Sequence, residues 1–334
     1  MKRIGNSSIE FENNVGIISS AAVVGPKEAE GPMAKHFDIC FEDSMLAQES
    51  WEKAESMLQM HAVEESLRKC NLEPKDIDIL FAGDLLNQCT ASCFGTKGFK
   101  IPFVGVYGAC STMALSLINA AISVESGAAN KAIAVTSSHF CSAERQYRFP
   151  LEYGGVRPQT SQWTVTGSGA AILGQNSGVK IIKATIGKII DYGIKDANNM
   201  GAAMAPAAAD TIRAFFSDTG ANIEDFDAIF TGDLGVVGSE LLYKLLEENG
   251  LYIQSVHKDC GNMIFDRDSQ DVHSGGSGCG CSASVLCSFI LKKLRKKEYK
   301  NVLFCATGAL LSPTTTQQGE SIPSIAHLIY ITSE

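Results

Sequence analysis

The stretch "DIDILFAGDLLNQ", residues 76 to 88, returns in altered form as "DFDAIFTGDLGVV", residues 225 to 237. Both read Asp-x-Asp, an apolar run, then Gly-Asp-Leu. A second pair lies downstream of the first. "GACSTMALSLINAAI" (108–122) and "GCGCSASVLCSFIL" (278–291) are small-residue turns that open apolar helices, and each precedes a strand, "KAIAVTSS" or "KNVLFCATG". One match of this length carries little, but four elements recurring in the same order mean a duplicated unit. The two halves are placed at 1–175, which carries Cys110, and 176–334.

Around the repeat, short apolar runs alternate with helical patterns. The first half offers strands at "VGIISSAAVVG", "DIDILFAG", "IPFVGVY", "KAIAVTSS" and "WTVTGSGAAILG", with helices over 45–70 and 111–127. The second offers "VKIIKATIGKII", "DFDAIFTG", "KNVLFCATG" and "AHLIYIT", with helices over 205–219, 238–249 and 282–297. This alternation predicts an α/β protein with buried, largely parallel sheets.

With 334 residues, 45% hydrophobic and 19% charged, the chain can bury a large core. Its net charge of -9 argues against nucleic acid and against direct docking on anionic lipid. The one basic run, "KKLRKKEYK", ends a predicted helix and reads as a solvated terminus that complements the helix dipole. Neither a signal peptide nor a run of about 18 apolar residues is visible. The expected location is therefore inside the cell, with any membrane association made through a partner. Eleven irregularly spaced cysteines suit a reducing compartment, and "CTASC" and "GCGC" lack zinc-site spacing, so no metal is expected. "HSGGSGCGCS" lacks the lysine of a phosphate-binding loop and reads as close backbone packing under a pocket.

Two αβ halves with a cysteine at a helix N-terminus resemble the thiolase superfamily of thiolases and β-ketoacyl synthases. That resemblance implies a five-layered αβαβα fold, a nucleophilic cysteine at the start of a buried helix, and further catalytic groups from loops of the second half. Within the superfamily, "SHFCSAERQYRFPLEYG", "QWTVTGSGAAILG", "NNMGAAMAPAAADT", "FTGDLGVVG", "DCGNMIFD" and "GGSGCGCSASV" resemble the stage V sporulation protein AD family. The resemblance implies dipicolinic acid binding, with or without calcium, for uptake into the forespore and release at germination. It also implies a place at the spore inner membrane beside the membrane-embedded stage V sporulation A proteins. A homodimer is the default of the fold.

Cys110 at a helix start faces unpaired N–H groups, a setting that favours a thiolate. Condensing enzymes also need a His and an Asn as donors to the second thioester oxygen. Here Asp233 stands where the His is expected and Cys279 where the Asn is expected, so an acceptor and a thiol replace two donors. Thiolases need a late cysteine and a Gly-His-Pro motif, and "FCATGALLSP" offers Thr307 and Gly308 instead. Cys110, Asp233 and Cys279 are therefore read as a vestigial catalytic set, with an unusual but active condensing enzyme as the alternative.

A flat dicarboxylate asks for cationic forks and an apolar wall. The candidates are His139, Arg145, Arg148 and Trp163 in and after the loop that follows "KAIAVTSS", and Asp84, Asp233, His257 and His273 nearby. Asp84 and Asp233, related by the repeat, would suit a calcium-carrying ligand. The other reading of each aspartate is a helix cap, of the two arginines a surface or interface ion pair, and of His257 and His273 simple exposure or a hydrogen bond.

Overall fold

The computed structural model describes residues 1–148 and 156–333, and of Arg148 the backbone alone. The first half contributes β1 (Val15–Val24), α1 (Trp51–Lys69), β2 (Ile79–Gly83), α2 (Thr90–Thr96), β3 (Phe103–Gly105), α3 (Thr112–Glu125), β4 (Ala132–Ser138) and β5 (Gly167–Gln175). The second contributes β6 (Val179–Ile186), α4 (Met200–Thr219), β7 (Ala228–Thr231), α5 (Gly235–Glu247), β8 (His257–Asp259), α6 (Cys279–Val285), β9 (Asn301–Ala309) and β10 (Ser324–Ser333). Helix α6 runs on through a π-helical turn, Leu286–Ile290, into Leu291–Arg295.

The order across the sheet is β8-β7-β9-β10-β6-β1-β5-β4-β2-β3, which reads the same by half from either end. Pair directions follow the same symmetry. β2 is parallel to β3 and β4, as β7 is to β8 and β9, while β5 and β10 are antiparallel to both neighbours. The expectation of largely parallel sheets is corrected here. Continuous apolar runs report that both faces of a strand are covered, and they are silent about its direction. Between the halves, β1 and β6 meet through one residue pair, Gly16 with Lys180.

Three apolar cores separate five layers. Leu58, Ala62 and Val63 of α1 pack on Leu80, Ile133 and Ile172 outside the first sheet. Met204, Ile212 and Phe215 of α4 pack on Ile229, Leu303 and Leu328 outside the second. Between the sheets, α3 and α6 share one core with residues of both, including Phe81, Ala134, Phe230, Phe304 and Ile329. Sequence placed α4 from 205, but it begins at Met200, where the Asn199 side chain accepts the Ala202 N–H, and it carries Pro206 within its first two turns. It missed α2, whose "TASCFGT" has no apolar period.

Leu117 of α3 is fully buried in the middle core. Leu117→Ala should lower unfolding free energy by about 2–5 kcal/mol, the range for an unfilled core site, in a urea titration at fixed pH.

Candidate functional site

Cys110 lies two residues ahead of α3, in a turn built by short local bonds. Ala109 adopts a left-handed conformation at φ 49°. Ser111 Oγ donates to the Gly108 carbonyl at 2.6 Å, and Thr112 Oγ1 donates to the Ala109 carbonyl at 2.5 Å. The turn rests on β9. A Cβ at Gly308 would stand 2.4 Å from the Gly108 oxygen and 3.2 Å from the Cys110 nitrogen, so this position accepts only glycine. The buried Cys110 side chain packs with Leu85, Tyr147 and Cys279.

Asp233, just beyond β7, is the centre of the arrangement and is fully buried. One carboxylate oxygen accepts the Gly278 N–H at 2.8 Å and the Ser277 hydroxyl at 3.2 Å. The other accepts the Thr307 hydroxyl at 2.8 Å, and the Cys110 thiol is hydrogen-bonded to the same carboxylate. Burial raises its pKa from the ordinary aspartate value, and the donors pull against that rise. The Gln162 amide donates to the Asp233 carbonyl at 2.7 Å and the Gly276 carbonyl at 2.9 Å, tying the glycine-rich turn to β7. That turn packs backbone to backbone, for a Cβ at Gly280 would lie 2.4 Å from the Gly167 oxygen.

Cys279 opens α6 and is fully buried. Its thiol donates to the Ser137 carbonyl at 2.9 Å, and burial pushes its pKa well above the usual thiol range. Behind it lies a polar network that the sequence reading missed. Glu55 of α1 accepts the Ser137 hydroxyl at 3.1 Å and the Ser142 hydroxyl at 2.6 Å. Burial, with the negative charge of Asp84 nearby, pushes Glu55 up to about 8. Gln59 reaches Gly83 O, Ser92 Oγ and Ser137 Oγ, and Ser92 in turn donates to Asp84. The available signal was Glu55 and Gln59 at i and i+4 on the helix face that also carries Leu58 and Ala62.

The remaining predicted residues divide clearly. Asp84 caps α2, taking the Leu86 and Ser92 N–H groups and the Ser92 hydroxyl, so its oxygens are engaged rather than available to calcium. Asp233 is engaged in the same way. His139 is an N-cap, accepting the Cys141 N–H on Nδ1, with Nε2 2.8 Å from the Ser44 carbonyl. Trp163 stacks on Phe140 at 3.6 Å and has Lys27 and Arg157 over its ring, leaving no face for a ligand. His257 is held between the Tyr243 hydroxyl and the Thr231 hydroxyl, each at 2.8 Å, and burial lowers its pKa to about 4. His273 pairs with Asp271 at 2.9 Å. Arg145 is exposed and faces Glu52 at 3.6 Å, and the Arg148 side chain lies outside the described residues.

A cleft of about 270 Å³ opens beside the Cys110 turn, separated from the thiol by Leu85 and Tyr147, which pack on it. Leu85, Asn87, Gln88, Tyr107, Tyr147 and Ser312 line it. Among the described residues no group of three or more His, Cys, Asp or Glu side chains could hold a metal ion.

This palindromic αβαβα architecture, with a buried cysteine ahead of the central helix, defines a thiolase-like protein. It is similar over 96% of the chain to 3-oxoacyl-[acyl-carrier-protein] synthase III from Aquifex aeolicus, all of whose chain is covered, at a TM-score of 0.59 and 11% identity. Human mitochondrial 3-ketoacyl-CoA thiolase is similar over 98% of this chain and 100% of its own, at 0.57 and 11%. The chain belongs to the stage V sporulation protein AD family, whose pattern it matches over residues 5–332. It is 47% identical to stage V sporulation protein AD of Bacillus subtilis, over 98% of this chain and 97% of that protein.

Buried carboxyls give the stability a direction with pH. Burial pushes Glu28 and Asp259 up to about 7, alongside Glu55 at about 8. The folded state therefore holds protons that the unfolded chain has released, and stability falls as pH rises toward these values. His257 and His327, lowered to about 4, act oppositely but only below their unfolded value of 6.5. The urea midpoint should drop steadily between about pH 6.5 and 8.5. Glu55→Gln should flatten that slope, and an unchanged slope would show that Glu55 does not titrate in this window.

Proposed function

We propose that this protein binds dipicolinic acid in the cleft beside the Cys110 turn and performs no condensation. The observation that carries the reading is the Asp233 carboxylate, saturated by donors from the protein itself. A condensing site must present donors to a developing oxyanion, and here both positions are closed, Asp233 as an acceptor and Cys279 as a thiol committed to Ser137. The cleft, about 270 Å³, has room for a single aromatic ring. Leu85, Tyr107 and Tyr147 supply apolar walls, and Asn87, Gln88, Gln146 and Ser312 supply polar contacts.

These lining residues carry no formal charge. A neutral lining fits the calcium chelate of dipicolinate, in which metal and carboxylate charges cancel, and any calcium arrives with the ligand. The bare dianion requires a cation, and Arg148, next to Tyr147 in sequence, is the candidate. The wider role is uptake of dipicolinic acid into the forespore and its release at germination. The partners are a second copy of the chain and the membrane-embedded stage V sporulation A proteins. For the homodimer, the exposed edge strand β3 with Phe94 and Tyr107 is the fitting surface. No helix among the described residues is long and apolar enough to cross a membrane, consistent with peripheral attachment at the spore inner membrane.

One observation favours a second reading. The Cys110 thiol bonded to Asp233 is a nucleophile beside a base, the starting point for acyl transfer from an acyl-CoA, with the thiol proton passing to Asp233. Incubation with acetyl-CoA followed by intact mass analysis separates the two. No adduct is expected, and stoichiometric acetylation of Cys110 would establish the second reading.

Calorimetric titration with dipicolinate, with and without Ca²⁺, tests the binding itself. Arg148→Ala should weaken binding of the bare ligand about tenfold to a hundredfold, the loss of one charge-assisted hydrogen bond, and affect the chelate less. Arg145→Ala should leave both within about twofold, as for an exposed ion pair. Absence of heat in both titrations would end the proposal.

A further inference from the structure

Helix α6 and its continuation place the site and the basic run at opposite ends of one rod, roughly 25 Å long for 17 residues. At the far end, the run meets a second segment of the chain. Lys292 Nζ donates to the His36 carbonyl at 2.5 Å, and Lys293 pairs with Glu298. His36 lies within the field of Lys35, Lys292, Lys293 and Lys296. Asp38 pairs with Lys69 at 3.0 Å and with Lys292 at 3.6 Å, and it also feels Arg295, whose Nη1 donates to Ser20 Oγ. Lys297 lines a shallow cavity with Arg295. Seven cations thus face two carboxylates, Asp38 and Glu298. Lys35, Lys296 and Lys297 are exposed, and their side chains form no hydrogen bond or ion pair among the described residues.

The duplication supplies an internal control. Helix α3 holds the place in the first half that α6 holds in the second, and its last turn carries no basic residue and ends at Glu125. This architecture therefore does not need a basic terminus to close a central helix. Complementing the dipole takes one or two cations, and the second half has concentrated several more around it.

We propose that this basic end docks the protein on an anionic lipid bilayer surface. The chain as a whole carries -9, so a negative surface favours the orientation that presents this end. No large hydrophobic side chain among the described residues is exposed within the cluster. The exposed ones are Met1, Phe94, Phe103, Val104, Tyr107, Val156, Ile186, Ile189, Tyr192 and Tyr252. A protein interface is anchored by a buried apolar or aromatic centre. Long lysines without such an anchor suit a diffuse layer of headgroups, where each adds a small, salt-sensitive attraction. The cleft beside the Cys110 turn then faces away from the lipid.

The test is co-sedimentation of the full chain with phosphatidylcholine vesicles, with and without about one third phosphatidylglycerol, at low and at about 0.5 M salt. Binding is expected to the acidic vesicles alone and to vanish at high salt. The triple variant Lys35→Glu, Lys296→Glu and Lys297→Glu should lose at least about tenfold in partitioning with an unchanged melting temperature. Lys258→Glu, an exposed reversal on β8, should bind like the unaltered chain. Equal binding to neutral vesicles, insensitivity to salt, wild-type partitioning by the triple variant, or no binding to acidic vesicles would overturn the proposal. So would attachment that appears only when integral membrane proteins are included, which would assign the patch to an acidic protein partner.

Discussion

The carboxylate of Asp233 holds the centre of the molecule together. It gathers a thiol from the turn before α3, a hydroxyl from β9, and a hydroxyl and an N–H from the glycine-rich turn before α6. These groups come from both halves, and each would be an unsatisfied buried dipole without it. An acceptor at this position turns the protein's own donors inward to Asp233, and a carboxylate held from four directions makes that centre rigid.

The repeat explains how such a site arises. Asp84 and Asp233 occupy matching positions after β2 and β7, yet they do different work. Asp84 caps the short helix that follows it. In the second half that job falls to Asp259, which takes the Leu234 and Gly235 N–H groups and leaves Asp233 free to turn to the cysteine. The same divergence separates α3 from α6, one ending in Glu125 and the other in a lysine-rich turn. Net charge, an average over the chain, conceals that concentration.

Much of this was legible in the sequence, and the boundary is instructive. The Gly-Asp-Leu repeat, the apolar runs and the small-residue helix starts all report local burial, and the resemblance to the thiolase superfamily put Cys110, Asp233 and Cys279 in one site. Strand direction was not legible, because a run covered on both faces reads the same either way. Nor was the fate of the polar candidates. His139 and His257 look like chemistry in one dimension, and they prove to be bonded to Ser44 and to Thr231 and Tyr243 of other segments, while Asp84 takes the capping reading on Leu86 and Ser92. Glu55 was overlooked for the converse reason: a carboxyl within a helix looks solvated until the sheet beneath it is known.

The core shared by the central helices also bears on how the chain is made. Helix α3 belongs to the first half, yet part of its apolar surface is covered by Phe230, Phe304 and Ile329 of the second. On the ribosome, residues up to 175 emerge with that surface bare. At about 5–20 residues per second, roughly 10–30 s pass before the covering strands and α6 exist. Until its twin arrives, the first half therefore carries an apolar patch on α3 that the finished protein covers.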